Sequence, residues 1–370
     1  MIDYLIVGAG LFGSVFAHEM NKRGQRCLVI DKRQHIGGNC YTETREGIET
    51  HVYGPHIFHT DSQALWDYVG RFCEFKPYIH SIVSRAGKKD YSFPINLRTL
   101  KQIFETESAE LALARFEQDR EAYRGRGGND LESWCLSQVG PTLYERLIKG
   151  YTTKQWQTSP CELNAAIIKR LPVRMTEDDN YYTHRFQGLP VGGYTQIFER
   201  LLEGIDVRLG VDFFNDCAHF EQQARKIVYT GRIDQYFDYR FGPLGWRSLD
   251  FKWQYHDTSF VQKHIIVNHA DIDVPYTRTV EYKHWMADAE ALPRGTLLVE
   301  EYSLTSTLTS DAYYPINTIE NKNRYDQYLE LTRPLKDRVV FGGRLARYAY
   351  IDMAPTISMA LNSVTREIKQ

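Results

Sequence analysis

Gly8, Gly10 and Gly13 are spaced as Gly-x-Gly-x-x-Gly directly behind the apolar run Tyr4-Leu5-Ile6-Val7, and a second apolar run, Cys27-Leu28-Val29-Ile30, ends on Asp31. Residues of these types at this spacing suit a dinucleotide. Gly8 lets the chain turn tightly, Gly10 lets bare backbone approach a pyrophosphate, and Gly13 lets the following helix pack on the sheet. The helix N-terminus then faces the anion. Asp31 can accept hydrogen bonds from both hydroxyls of a ribose. A few residues on, Gly37-Gly38-Asn39 suits a loop folded back over the diphosphate, because glycine brings backbone amides close. An NAD site needs no such second cover, so the pair favours FAD.

The elements that must position these residues follow from the pattern. Residues 1 to about 70 read as strand, helix, strand, loop and a further helix near Ser62–Val69. Residues 78–97 carry β-type patterning that ends in Phe93-Pro94-Ile95-Asn96-Leu97. Helical patterning follows to about residue 170, with examples at Leu100–Thr106, Ala109–Tyr123 and Leu131–Val139, and Arg124-Gly125-Arg126-Gly127-Gly128 breaks it with a turn. The polar segment 171–179 reads as a mobile loop. A helix is expected over Thr195–Glu203. Strands are expected at Val207–Leu209, Lys226–Tyr229, Ser259–Val267, Thr296–Glu301 and Val339–Phe341, and a last helix from Ala354. Gly231, after the strand ending at Tyr229, and Gly342-Gly343 both put glycine where backbone must approach something closely. That makes Arg344 a candidate to sit by the flavin or its diphosphate. The expected fold is α/β: a discontinuous FAD-binding Rossmann-like domain of the glutathione-reductase type (residues 1–75, 190–244 and 330–370), a helical insertion (98–178) and a mainly antiparallel β-sheet substrate domain (76–97, 179–189 and 245–329).

Composition excludes several classes. A formal net charge of −2 gives no bias toward nucleic acid or an anionic membrane. No apolar stretch approaches a membrane span, and because the sequence opens on a strand pattern no signal peptide is expected. The six cysteines are scattered, with no Cys-x-x-Cys and no zinc spacing; no metal is expected, and reduced thiols in a cytoplasmic protein are. The 25 tyrosines suit a pocket that packs on a polar ligand while hydrogen-bonding it.

Six segments, in order, resemble bacterial UDP-galactopyranose mutases over essentially the whole chain. They are 51–60 (HVYGPHIFHT), 149–156 (KGYTTKQW), 169–174 (KRLPVR), 273–278 (DVPYTR), 313–316 (YYPI) and Gly343-Arg344-Leu345 with Tyr348, Tyr350 and Asp352-Met353. The resemblance implies an enzyme that interconverts the pyranose and furanose forms of a nucleotide-linked galactose without net redox change, through a covalent N5-glycosyl adduct of reduced FAD. It implies an external reductant, a homodimer and no nucleic-acid or membrane partner. It places Arg174 and Arg278, with Tyr314 and Tyr350, on the diphosphate that leaves and returns, where fixed cations and hydroxyl donors are needed. Arg170 is a weaker candidate there. Tyr151 stacks on uracil, Trp156 lies at the sugar end, and Tyr181 and Asn268 join the substrate set. His59 lies over the flavin. The implied cofactor set is Gly8, Gly10, Leu11, Phe12, Gly13, Asp31, Lys32, Gly38, Asn39, His56, His59, Gly231, Arg344, Tyr350, Asp352 and Met353.

Two departures concern the substrate. His80 stands where the family usually has an asparagine against the sugar; either the hexose differs at a hydroxyl or the imidazole replaces the amide. Leu147-Ile148 stands where some members carry two phenylalanines beside the base. Alternatives are therefore the same chemistry on another nucleotide sugar, such as a dTDP-6-deoxyhexose, or an FAD-dependent oxidoreductase on the same fold.

Overall fold

The computed structural model describes residues 2–169, 173–286 and 292–369. A five-stranded, all-parallel sheet forms in the order Asp206–Leu209, Cys27–Asp31, Ile2–Val7, Ala224–Tyr229, Val339–Phe341. Its strands come from three widely separated stretches of chain. The inner strands Ile2–Val7 and Cys27–Asp31 carry near-continuous apolar runs because both faces are buried, whereas the edge strand Asp206–Leu209 alternates with exposed residues. Tyr4 and Ile6 pack with Phe16, Phe198 and Ile357 on one side; Leu5 packs with Ile30, Phe213 and Ile227 on the other. Helices Leu11–Asn21, Thr195–Leu201 and Met353–Ile368 supply the first layer. In the last of these, Ile357, Ala360 and Val364 recur at helical spacing and are all buried. The carboxyl ends of the strands share one edge, and Gly8, Asp31, Gly231 and Gly343 follow or end those strands, where α/β sheets hold ligands.

A second, seven-stranded sheet runs Tyr314–Pro315, Trp246–His256, Thr296–Thr305, Arg278–Val280, Ile266–His269, Ile82–Ala86, Lys89–Phe93. All its pairings are antiparallel except that between Ile266–His269 and Ile82–Ala86. Its core is shared with helices Leu97–Ile103, Ala109–Arg120 and Leu131–Leu143, through residues such as Leu100, Phe116, Leu143, Ile266 and Val280. Gly140 at φ +76° and Pro141 kink the third helix. The chain then continues as a π-helical turn, Tyr144–Lys149, into helix Gly150–Trp156.

The fold class read from the sequence holds, and several boundaries move. The strand expected to run to Leu97 stops at Phe93, because Asn96 caps a helix there: its Oδ1 accepts from Thr99 N at 3.1 Å. Of Ser259–Val267, only Ile266 and Val267 are strand. The preceding loop instead wraps buried Glu281, whose carboxylate accepts from Val261 N and Gln262 N, each at 2.9 Å. The strand at Trp246–His256 and the helix at Ile319–Thr332 had no sharp boundary in the sequence pattern.

Candidate active site

The site grows from the sheet edge. Gly8, at φ +111°, turns the chain off the first strand, and Gly10 serves as N-cap of helix Leu11–Asn21 with no side chain to satisfy the helix amides. Those amides are left for an anion. Asp31 is locked in place: Oδ2 accepts from Ala9 N and Oδ1 from Arg33 N, both at 2.8 Å. Each oxygen keeps a second lone pair for a ribose hydroxyl. Gly38 lies opposite Gly10, its Cα 3.8 Å from where a Gly10 Cβ would stand. Two bare backbone segments thus pack on each other, Gly37 N donating to Ala9 O at 2.9 Å, and leave a side-chain-free slot at this end of the cavity they both line. From here one continuous cavity of about 1180 Å³ reaches past Arg344, His56 and His59 to the second sheet and the helical layer. That exceeds the volume of an ordinary single-ligand pocket.

The second sheet builds the other half by register. Ser84 pairs with Asn268, Asn268 with Arg278, and Arg278 with Glu301. Directly paired residues share a face, so strand pairing alone sets Ser84, Asn268 and Arg278 side by side on the cavity wall. Arg278 Nε donates to Glu301 Oε2 at 2.7 Å, and Glu301 is only 1% exposed. Burial opposes the charge of Arg278, but Glu301 overrides it, and the guanidinium stays cationic well above its ordinary value. Tyr314 stacks on Tyr350 at 5.6 Å and lies 6.4 Å from Trp156, closing this end with three rings. Leu147, Ile148, Tyr151, Thr152, Gln155 and Trp156 all line the cavity. Their spacing is one face of the continuous π- and α-helical run.

The remaining expected residues sort clearly. Gly8, Gly10, Leu11, Phe12, Gly13, Asp31, Lys32, Gly38, Asn39, His56, His59, His80, Tyr151, Trp156, Tyr181, Gly231, Asn268, Arg278, Tyr314, Arg344, Tyr350, Asp352 and Met353 line this one cavity. His56 Nδ1 bonds to Gly54 O at 2.7 Å, and burial, the leading cause, pushes its pKa down to about 4. His51 is a core residue whose Nδ1 accepts from His56 N at 3.0 Å. Arg344 donates through Nη2 to Tyr313 O, while its Nε is buried without a partner. Arg170 lies outside the described residues. Arg174 is not among the residues lining the cavity. Its Nη1 donates to Asp178 O and Asn180 O, and its Nε lies 3.5 Å from Asp178 Oδ2. The loop around it is tied down by Lys101–Glu177 at 2.6 Å and by Asn96 Nδ2 donating to Asp179 Oδ1 at 2.7 Å.

Residues missed in the sequence are Glu301, Tyr182 and His184. A glutamate inside the apolar alternation of Thr296–Thr305 was the available signal for the first. Tyr182 stacks on His59 at 3.7 Å, and His184 Nδ1 lies 3.1 Å from His59 Nδ1.

The slot, the aligned helix amides and the locked Asp31 fit a dinucleotide, and buried, unpartnered Arg344 Nε is a donor awaiting an acceptor. Fold and site together define a Rossmann-type flavoenzyme; residues 6–72 match the model for the NAD(P)-binding Rossmann-like domain. Residues 146–350 match the UDP-galactopyranose mutase family model, and the chain belongs to that family. It is 38% identical over 371 residues to the probable UDP-galactopyranose mutase of Klebsiella pneumoniae, covering 98% of this chain and 93% of that protein. It is 34% identical over 376 residues to the dTDP-fucopyranose mutase of Escherichia coli, covering 100% and 99%. A crystal structure of reduced UDP-galactopyranose mutase superposes with a TM-score of 0.75 at 12% identity, over 100% of this chain and 96% of that one. Putrescine oxidase superposes at a TM-score of 0.60 and 13% identity, over 100% and 99%, which speaks to the fold alone. The cofactor of the site is FAD. No helix among the described residues is long and apolar enough to cross a membrane.

Proposed function

We propose that the protein interconverts UDP-galactopyranose and UDP-galactofuranose with reduced FAD. The observation that carries this reading is the join of two half-sites in one cavity: a dinucleotide slot at the parallel-sheet edge and a polar row, Ser84, Asn268 and the cationic Arg278, on the second sheet. The chemistry FAD supplies when bound and reduced is nucleophilic displacement at the anomeric carbon without net electron transfer. The protein's own part is to hold the leaving diphosphate. Arg278 meets it with a fixed charge, and the Tyr314 hydroxyl, kept protonated because burial raises its pKa, adds a donor. Arg174 joins this set if its loop turns toward the ligand: its Nη2 is buried without a partner, and the carbonyls it now holds are weaker acceptors than a phosphate. Water must be kept out while the diphosphate is detached, a task for Tyr151 and Trp156, which line the cavity. We assign the slot to residues 1–75, 190–244 and 330–370, and the rest of the cavity to the helical and β-sheet parts. We further propose a cytoplasmic homodimer served by an external reductant.

With dithionite present, the FAD-loaded protein is expected to convert UDP-galactofuranose to UDP-galactopyranose, resolved by chromatography, and to lose that conversion when oxidised. Stoichiometric hydrogen peroxide, or a stoichiometrically reduced acceptor, would replace the mutase reading with an oxidase or dehydrogenase; equal conversion in both redox states would remove the reduced flavin from the reaction.

A second reading, another nucleotide sugar, is favoured by His80. It is 4% exposed, lines the cavity, and its Nδ1 is buried without a partner. Burial, with Arg278 and His59 behind it, pushes its pKa down to about 3, so it meets the sugar as a neutral ring. Under this reading His80→Asn improves kcat/KM for UDP-galactose by roughly tenfold, one hydrogen bond's worth, and lowers it for the native sugar. An unchanged preference across UDP-galactose and dTDP-fucose sets this reading aside.

A further inference from the structure

Two histidines meet nitrogen to nitrogen beside the cavity. His59 is 8% exposed and lines it; His184 is half-buried and does not. Their Nδ1 atoms are 3.1 Å apart. Two N–H groups cannot point at each other at that distance, and two lone pairs gain nothing from it. One Nδ1 therefore carries a proton and the other accepts it. In a neutral imidazole the remaining nitrogen has the opposite character. The tautomers of the two rings are thus coupled, and that of His184 bears on whether His59 Nε2 is a donor or an acceptor.

The surrounding segment is built to keep the pair. Tyr182 stacks on His59 at 3.7 Å and against His80 at 5.6 Å, so the rings form one column along the wall. Tyr181 N donates to His80 O at 2.7 Å. Gln187, directly opposite His59 in the strand pairing, donates through Nε2 to His184 O at 3.1 Å. Arg185 N donates to Asp61 Oδ1 at 2.8 Å. The backbone of His184 is therefore held on both sides, and its Nδ1 faces His59.

We propose that His184 is a positioning residue that fixes the tautomer of His59 and so the hydrogen bond His59 offers to the cavity. The functional consequence rests on the mutase reading; the tautomer pairing does not. The test is nitrogen NMR on histidine-labelled holoenzyme, with His59 assigned from its loss in His59→Asn. Complementary Nδ1 states in the wild type, and a mixed-tautomer His59 signal in His184→Phe, are expected. His184→Phe should also lower kcat roughly tenfold with KM within about twofold, the scale of one hydrogen bond, and His184→Asn, which retains a donor and an acceptor, should restore most of it. Identical tautomers in the wild type, or a His59 signal indifferent to His184→Phe, overturns the proposal whatever the activity. A wild-type protein inert toward nucleotide sugars overturns the mutase reading while leaving the NMR result standing.

Discussion

Arg278→Ala is expected to lower kcat/KM by roughly a thousandfold, and Arg278→Lys by about a hundredfold, while both proteins remain yellow. The magnitude is that of removing one preorganised donor from a site where charge develops as a bond breaks. Lysine keeps the charge but loses the planar fork. Flavin retention follows from geometry: the cofactor slot lies at the parallel-sheet edge, and Arg278 sits on another sheet. One complication can be separated by experiment. Arg278→Ala leaves Glu301, 1% exposed and already holding an unpartnered Oε1, as an unpaired buried charge, which costs about 3 kcal/mol or more. Adding Glu301→Gln should recover most of the lost thermal stability and none of the lost turnover. Retention of most activity in Arg278→Ala, read by initial rates with reduced flavin, removes Arg278 from the site.

The same residue shows what the sequence could and could not disclose. The dinucleotide slot was legible because its determinants are local. Strand, turn, helix and acid lie within residues 2–31, and burial on both faces writes the strands as plain apolar runs. The row Ser84, Asn268, Arg278, Glu301 was not legible as a row. It is a product of register between strands far apart in sequence, and no single-strand pattern records which residues will stand opposite one another. His184 was hidden for the same reason, since its partner lies 125 positions away. Arg174 differs in kind. Its expected place came from resemblance, and the structure shows Nη1 and Nε held by its own loop while Nη2 stays without a partner. A long, flexible cation adopts whichever acceptors its loop conformation presents, so its position depends on the state of the site more than on the fold.

The three glycines of the slot are expected to fail in different ways, and that difference tests the cofactor assignment most sharply. A Cβ at Gly8 would run into Thr230 Oγ1 in a backbone held at φ +111°, and one at Gly13 would run into Gly8 O. Side chains there disrupt the sheet–helix packing itself. Gly10 is unlike both. Its backbone is extended, at φ −80° and ψ −176°, which any residue adopts, and nothing in the protein stands closer than Gly38 Cα at 3.8 Å to its would-be Cβ. The methyl groups of a valine would enter the side-chain-free slot that Gly10 and Gly38 line together. Gly10→Val should therefore purify folded, with a melting temperature within a few degrees of the flavin-free wild type, yet colourless and unable to take up FAD on reconstitution. Gly8→Val and Gly13→Val should instead be poorly folded. A yellow, fully loaded Gly10→Val protein places the pyrophosphate elsewhere. A Gly10→Val protein that fails to fold assigns this glycine a structural duty that the open space around it does not require.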